Sequence, residues 1–289
     1  MVHWKLVASV VPKRVNLLTA RRRPGGANNQ LGWWLWLGGI EYTLPGEEHG
    51  YTWALPWAWS VLEDGEQRVA VQASVVEPST GLRETLVFSL EEHDSAALRT
   101  DVHIANPSAK PVSFAHWTNV PMVPGGTNEL EDDVAFDIPT AEILVAQRWQ
   151  KDLGPSPQKW PASSLHAIAG WKGMGDFTTN GLQVGYFGTH RVSTGEGVLR
   201  TFDVNATPGL DTWTYGYHPP PGTVPMGSGA PSKGYAEMWG GNVRSFPDER
   251  ARIDAGGVVS WTEHVRPYLG TLEFARAMGR AQRHNDHQG

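Results

Sequence analysis

Polar and apolar residues alternate singly along most of this chain, in short runs separated by turn-forming residues. Val69–Val76, Arg83–Leu90, Leu98–Ile104, Pro111–Asn119, Leu182–Phe187, Val198–Val204, Asp211–Tyr217, Gly234–Trp239 and Val258–Val265 follow the two-residue period of a strand with one buried face. The breaks between them are rich in Gly, Pro, Ser, Asp and Asn, as in Glu63-Asp64-Gly65-Glu66, Pro78-Ser79-Thr80-Gly81 and Asn106-Pro107-Ser108-Ala109-Lys110. These compositions predict hairpins and turns. Helical pattern is sparse. Thr140–Trp149 predicts one short helix and Leu272–Arg283 a second, followed by the polar tail His284–Gly289. Two Pro/Gly-rich stretches, Asp152–Trp160 and Pro219–Pro231, fit linkers by composition and read better as long ordered loops over a sheet face. Short strands at regular spacing predict an all-β sandwich or barrel.

Size and composition narrow this picture. A β sandwich of 289 residues fits one domain, so residues 1–289 are read as a single unit. Its core would span about 25–270, with a C-terminal helix and tail over 271–289. The net charge of −6 carries no basic face for nucleic acid, and Arg21-Arg22-Arg23 before Pro-Gly-Gly reads as a solvated loop. The absence of cysteine removes disulfides, thiolate metal sites and cysteine nucleophiles. Residues 1–20 lack a sustained apolar stretch, with Pro12, Lys13 and Arg14 in their middle. Neither a secretory leader nor a membrane span is expected, and the default location is the cytoplasm.

Candidate chemistry concentrates where aromatics and carboxylates crowd together. Glu47–Trp59 holds two carboxylates, an imidazole and four large aromatics, soon after Trp33-Trp34-Leu35-Trp36. Indoles suit surfaces that are half apolar and half wet, and a sugar ring has that character, with C–H faces and hydroxyl edges. Alternation puts Glu237 on one strand face with Tyr235 and Trp239, where rings would stack on a pyranose and the carboxylate would take a proton. It likewise sets His116 with Val112 and Phe114, and Asn119 on the opposite face; a core on the Val/Phe side would bury His116 and turn Asn119 to the site. Glu129, Glu131, Asp132, Asp133 and Asp137 lack the glycine-punctuated spacing of a Ca²⁺ loop and read as a solvated acidic segment. The histidines show no metal-ligand spacing, and Gly125-Gly126 and Gly240-Gly241 read as loop glycines outside any nucleotide-binding context, so no metal or organic cofactor is expected.

Several of these segments resemble, in order, the galactose-mutarotase-like (aldose 1-epimerase) superfamily. His49-Gly50-Tyr51-Thr52-Trp53-Ala54-Leu55-Pro56-Trp57 is similar to the His-Gly-Phe-Ala-Arg…Pro-Trp segment of hexose-phosphate mutarotases. Thr80-Gly81-Leu82 and Ile104–Val112 resemble two of the family's hairpins, Tyr235–Trp239 its late glutamate-bearing strand, and Val258–His264 its last core strand. The chain departs where the family carries Arg and this sequence has Trp53, and where a mid-chain His gives way to Ala115-His116-Trp117-Thr118-Asn119. The resemblance implies a β-supersandwich of two large antiparallel sheets with a sugar site on one face.

The expected function is therefore carbohydrate binding, with anomer interconversion of a hexose by acid–base catalysis as its enzymatic form. In that reaction a base removes the anomeric hydroxyl proton while an acid protonates the ring oxygen. Glu237, His49 and His218 are the candidate catalytic groups. Trp34, Trp36, Glu48, Trp53, Trp57, Asn119, Tyr235 and Trp239 are the candidate sugar contacts. A non-catalytic accessory protein and an oligosaccharide hydrolase or lyase stand as alternatives. The expected partner is a small sugar or oligosaccharide; oligomeric state is not legible.

Overall fold

A computed structural model describes residues 40–46, 50–52, 55–94, 96–121, 133–146, 156–160, 175–179, 181–214, 236–244, 249–271, 273 and 276–277. Two large antiparallel sheets form the molecule. The eight-stranded sheet runs in the order β2 (Ala58–Asp64), β3 (Arg68–Val76), β4 (Arg83–Glu91), β5 (Leu98–Ala105), β17 (Val258–Leu269), β13 (Glu196–Phe202), β12 (Tyr186–Arg191) and β8 (Val134–Asp137). The seven-stranded sheet runs β1 (Glu41–Thr43), β7 (Trp117–Pro121), β15 (Ala236–Gly241), β14 (Gly209–Thr214), β11 (Gly175–Thr179), β9 (Glu142–Ala146) and β10 (Gln158–Lys159). A small third sheet pairs β16 (Ala251–Ile253) with β6 (Val112–Phe114). No helix among the described residues is long and apolar enough to cross a membrane.

Turn chemistry fixes the hairpins. Between β3 and β4 the buried carboxylate of Glu77 accepts hydrogen bonds from the backbone N–H and hydroxyl groups of both Ser79 and Thr80. Gly81 closes that turn at φ 75°, a conformation that favours glycine. Asn106 does the corresponding job after β5. Its amide donates to the carbonyls of Lys110, Ile253 and Asp254, and its carbonyl oxygen accepts from Ser108. One side chain thus ties the end of β5 to the β16–β6 pair.

The inward faces of the two sheets supply the main core. Val120, Leu210, Met238 and Phe177 from the seven-stranded sheet meet Phe187, Val198, Phe202 and Val265 from the other. Each such side chain contributes about 1.5–3 kcal/mol by leaving water. A second cluster of Tyr42, Leu44, Leu82, Leu86, Val102, Ile104, Phe114, Ile253 and Trp261 closes the end of the sandwich beneath β16 and β6.

Three sequence expectations are corrected. Thr140–Trp149 is not helical over its described part: Glu142–Ala146 is strand β9, hydrogen-bonded to β10 and β11. Ile143 and Val145 are buried while Glu142 is exposed, so the period is two; pairing on both sides overrides the helix-forming Ala, Glu and Leu. Pro111–Asn119 is two strands, because the chain leaves the small sheet after Phe114 and enters the large one at Trp117. The acidic run is not wholly a solvated loop. Val134–Asp137 is the buried strand β8, Asp133 is paired with Arg191 at 2.8 Å and Asp137 with Arg276 at 3.0 Å; Glu129, Glu131 and Asp132 lie outside the described residues. Of the predicted C-terminal helix, Glu273, Arg276 and Ala277 are described and helical.

Candidate functional site

The outward face of the seven-stranded sheet gathers the polar and aromatic residues of β1, β7, β15 and β14. Register sets them in rows. Glu41 lies opposite Asn119, Asn119 opposite Trp239, and Trp239 opposite Asp211. The adjacent row sets Glu237 opposite Trp213. Residues directly opposite in an antiparallel pair share a face, so these six side chains share one surface. The first row crosses three strand gaps, about 14 Å at the usual strand spacing. The intervening residues Thr118, Val120, Met238 and Thr212 point inward, where Val120 and Met238 join the core.

The face is buried and polar. Glu41 is 1% exposed, Asn119 0%, Asp211 6% and Glu237 3%. Trp239 is also buried, and Trp213 is half-buried. Trp239 Nε1 donates to Glu237 Oε2 at 3.0 Å, two residues along the same strand. This charge-assisted bond fixes the carboxylate and the indole relative to each other. Asn119 Nδ2 donates to Glu41 Oε2 at 3.3 Å. Asn119 Oδ1 is buried and accepts no hydrogen bond among the described residues. Buried amide oxygens are normally satisfied, so this one marks a position where a donor would be held.

Two adjacent glycines shape this part of β15 from opposite sides, and both belong to the strand, not to a loop as the sequence suggested. A Cβ on Gly241 would sit 2.3 Å from the Trp117 indole, so only glycine lets that ring lie against the outward surface. A Cβ on Gly240 would sit 2.6 Å from Arg200 Nη1 on the inward side.

Beneath the face lies a buried polar layer between the sheets. His116 Nε2 and Glu84 Oε1 are 2.9 Å apart, with Trp261 edge-on to the imidazole. Arg200 pairs with Glu263 at 2.7 Å, and Trp261 Nε1 donates to the same carboxylate at 2.9 Å. The Tyr42 hydroxyl contacts Thr100 at 3.1 Å; burial, with the nearby Glu263 charge, pushes its pKa well above the usual phenol range. His116 is thus an interior residue facing away from Asn119. His264, on the opposite face of β17 from Glu263, is half-exposed.

Of the sequence candidates, Glu237, Asn119 and Trp239 come together. Trp57 is elsewhere: it packs against the second core cluster and its N–H donates to the Thr52 carbonyl at 2.9 Å. Its side chain serves the hydrophobic closure of the sandwich end. His49, His218, Trp34, Trp36, Glu48, Trp53 and Tyr235 lie outside the described residues. Sequence reasoning missed Glu41, Asp211 and Trp213. Asp211 and Trp213 alternate within a predicted strand, a signal that could have placed them on one surface; Glu41 sits in a three-residue strand with no usable period.

No protein-family model matches the chain, and no curated protein matches it. Solved structures do. A TPR-domain containing protein from Parabacteroides distasonis aligns with TM-score 0.67 at 22% identity, over 83% of this chain and 39% of that one. The chain therefore spans well under half of that longer protein. A galactose mutarotase-like protein from Clostridium acetobutylicum aligns with TM-score 0.55 at 10% identity, over 80% of each chain. A galactose mutarotase related enzyme from Lactobacillus acidophilus aligns with TM-score 0.53 at 11% identity, over 82% and 84% of the two chains. At these identities the likeness is one of fold: the chain has the all-β, two-sheet fold of galactose mutarotase-like proteins.

Proposed function

We propose that the chain binds a neutral hexose-like sugar on the outward face of the seven-stranded sheet and interconverts its anomers. The observation that carries this reading is the shared surface of Glu237, Trp239 and Asn119. It joins a carboxylate, an indole tied to it, and an amide oxygen that accepts nothing from the described residues. The mutarotase-like fold supports the sugar as ligand class.

Glu237 takes the proton from the anomeric hydroxyl. An acid delivers a proton to the ring oxygen, the ring C–O bond breaks, and the aldehyde closes again on its other face. His49 and His218 are the candidate acids. The indoles of Trp213 and Trp239 offer stacking surface to the C–H faces of the ring. Asn119 Oδ1 and the carboxylates of Glu41 and Asp211 accept from its hydroxyls. Three carboxylates on one surface disfavour a phosphate dianion, which calls for Arg in bidentate geometry or a helix N-terminus.

Titration with glucose, galactose and their 6-phosphates, followed by Trp fluorescence, tests the ligand class. Saturable change with the neutral sugars and weaker binding of the phosphates is expected. Tighter binding of the phosphates, or no saturable change with any of the four, overturns it.

A further inference from the structure

We propose that Arg200 is the positioning residue of this face, acting from the opposite sheet through the backs of β7 and β15. The inference rests on the reading of that face as the ligand site. Arg200 belongs to β13 and is among the largest fully buried side chains. Its guanidinium lies over the rings of Phe187 and Phe202 at 5.4 and 5.6 Å and pairs with Glu263. Its Nη1 crosses the interior and donates to the Thr118 carbonyl at 2.8 Å. Glu263 also accepts from the Thr118 hydroxyl at 3.4 Å.

Thr118 and Gly240 are cross-strand partners. The guanidinium is seated against that pair, in the space that the missing Gly240 side chain leaves. The next pair along the same two strands is Asn119 and Trp239, which face the other way. A slip of one residue between β7 and β15 would turn one of the two off the site surface and break the row. A buried ion pair is weak grounds for stability, since desolvation offsets most of its attraction. Its better-attested use is to fix register, and here the register fixed is that of the Asn119–Trp239 row.

The test reads the indole N–H signals of the full chain by ¹H–¹⁵N NMR. Trp239→Phe assigns the Trp239 signal. The Trp57 signal, from an N–H bonded to Thr52 at the sandwich end, serves as internal control. In Arg200→Met the Trp239 signal is expected to shift and its hydrogen exchange to quicken at least tenfold, with Trp57 unchanged. Gly240→Ala, which pushes the guanidinium aside but keeps its charge, is expected to do the same, and covers the case in which Arg200→Met fails to fold.

Equal changes at both indoles, meaning general loosening, would overturn the proposal, as would no change at Trp239. Hexose titration then separates the two readings. A wild-type protein that binds no sugar defeats the proposed function and leaves the NMR result standing. Wild-type affinity retained in a variant whose Trp239 has moved defeats the positioning of the ligand site. Ile143→Ala, buried in β9 three strands along from β15, lowers stability away from this layer and is expected to keep wild-type affinity.

Discussion

At the scale of single residues, the proposed function gives Glu237 and Asn119 different tasks. Trp239 holds one oxygen of Glu237 at 3.0 Å, so the carboxylate is set in place before any ligand arrives. Glu237→Gln keeps the shape and the bond to the indole but removes the base. Anomer exchange should fall by about 10²- to 10⁴-fold, the usual worth of a positioned acid or base, while hexose affinity stays within about threefold. Asn119→Leu removes the buried acceptor and should weaken hexose binding by about tenfold, the scale of one hydrogen bond. Fluorescence titration of the two variants separates these roles; loss of affinity in Glu237→Gln equal to that in Asn119→Leu would show that they act alike.

A different residue sets a pH limit. Burial lowers the pKa of His190 from its ordinary 6.5, and its Nδ1 lies 3.2 Å from the Tyr268 hydroxyl. Burial, with Asp137 nearby, raises the Tyr268 pKa well above the usual phenol range, so that hydroxyl stays protonated beside the imidazole. The unfolded chain takes up the His190 proton near pH 6.5, and the folded chain only at lower pH. The unfolded state binds more protons in that window. Stability should therefore be highest above pH 6.5 and fall as the pH drops through the folded-state pKa. Urea midpoints from pH 7.5 to 5 should show this slope, and His190→Phe should flatten it.

At the scale of elements, the strands with long alternation were legible because one face meets the core and the other does not. β3, β4, β5 and β17 lie within a residue or two of their predicted starts, since periodicity and turn composition agree there. β9 was not, because Ala, Glu and Leu in its sequence are helix formers and its strand identity comes from its neighbours. The break at Ala115–His116 was hidden for a related reason: each half alternates, and only the change of sheet separates them. The Gly240-Gly241 pair was misread because a glycine in a strand carries no pattern of its own; its need is visible only against Trp117 and Arg200. Gly241→Ala puts a methyl 2.3 Å from the Trp117 ring and should destabilise by about 1–3 kcal/mol, the range of overpacking. An unchanged urea midpoint would mean that the indole has room to move.

At the scale of the molecule, two sheets share a core, and the described outward side of the seven-stranded sheet is rich in carboxylates and indoles. Part of that surface was legible. Alternation alone set Glu237 with Trp239 and turned Asn119 away from the Val112 and Phe114 side. The rest needed strand order: Glu41, Asn119, Trp239 and Asp211 come from four strands scattered along the chain, and only pairing brings them into a row. An acidic residue in a predicted strand reads as solvated until its neighbours are known, which is why Asp211 went unmarked.

The central claim, that Glu237 on this surface drives anomer exchange, is tested most directly by following α-to-β conversion of freshly dissolved glucose and galactose by ¹H NMR. Exchange faster than in buffer is expected with the wild-type protein, and a rate close to that of buffer with Glu237→Gln. A wild-type rate equal to that of buffer, or an acceleration that survives the substitution, would contradict it.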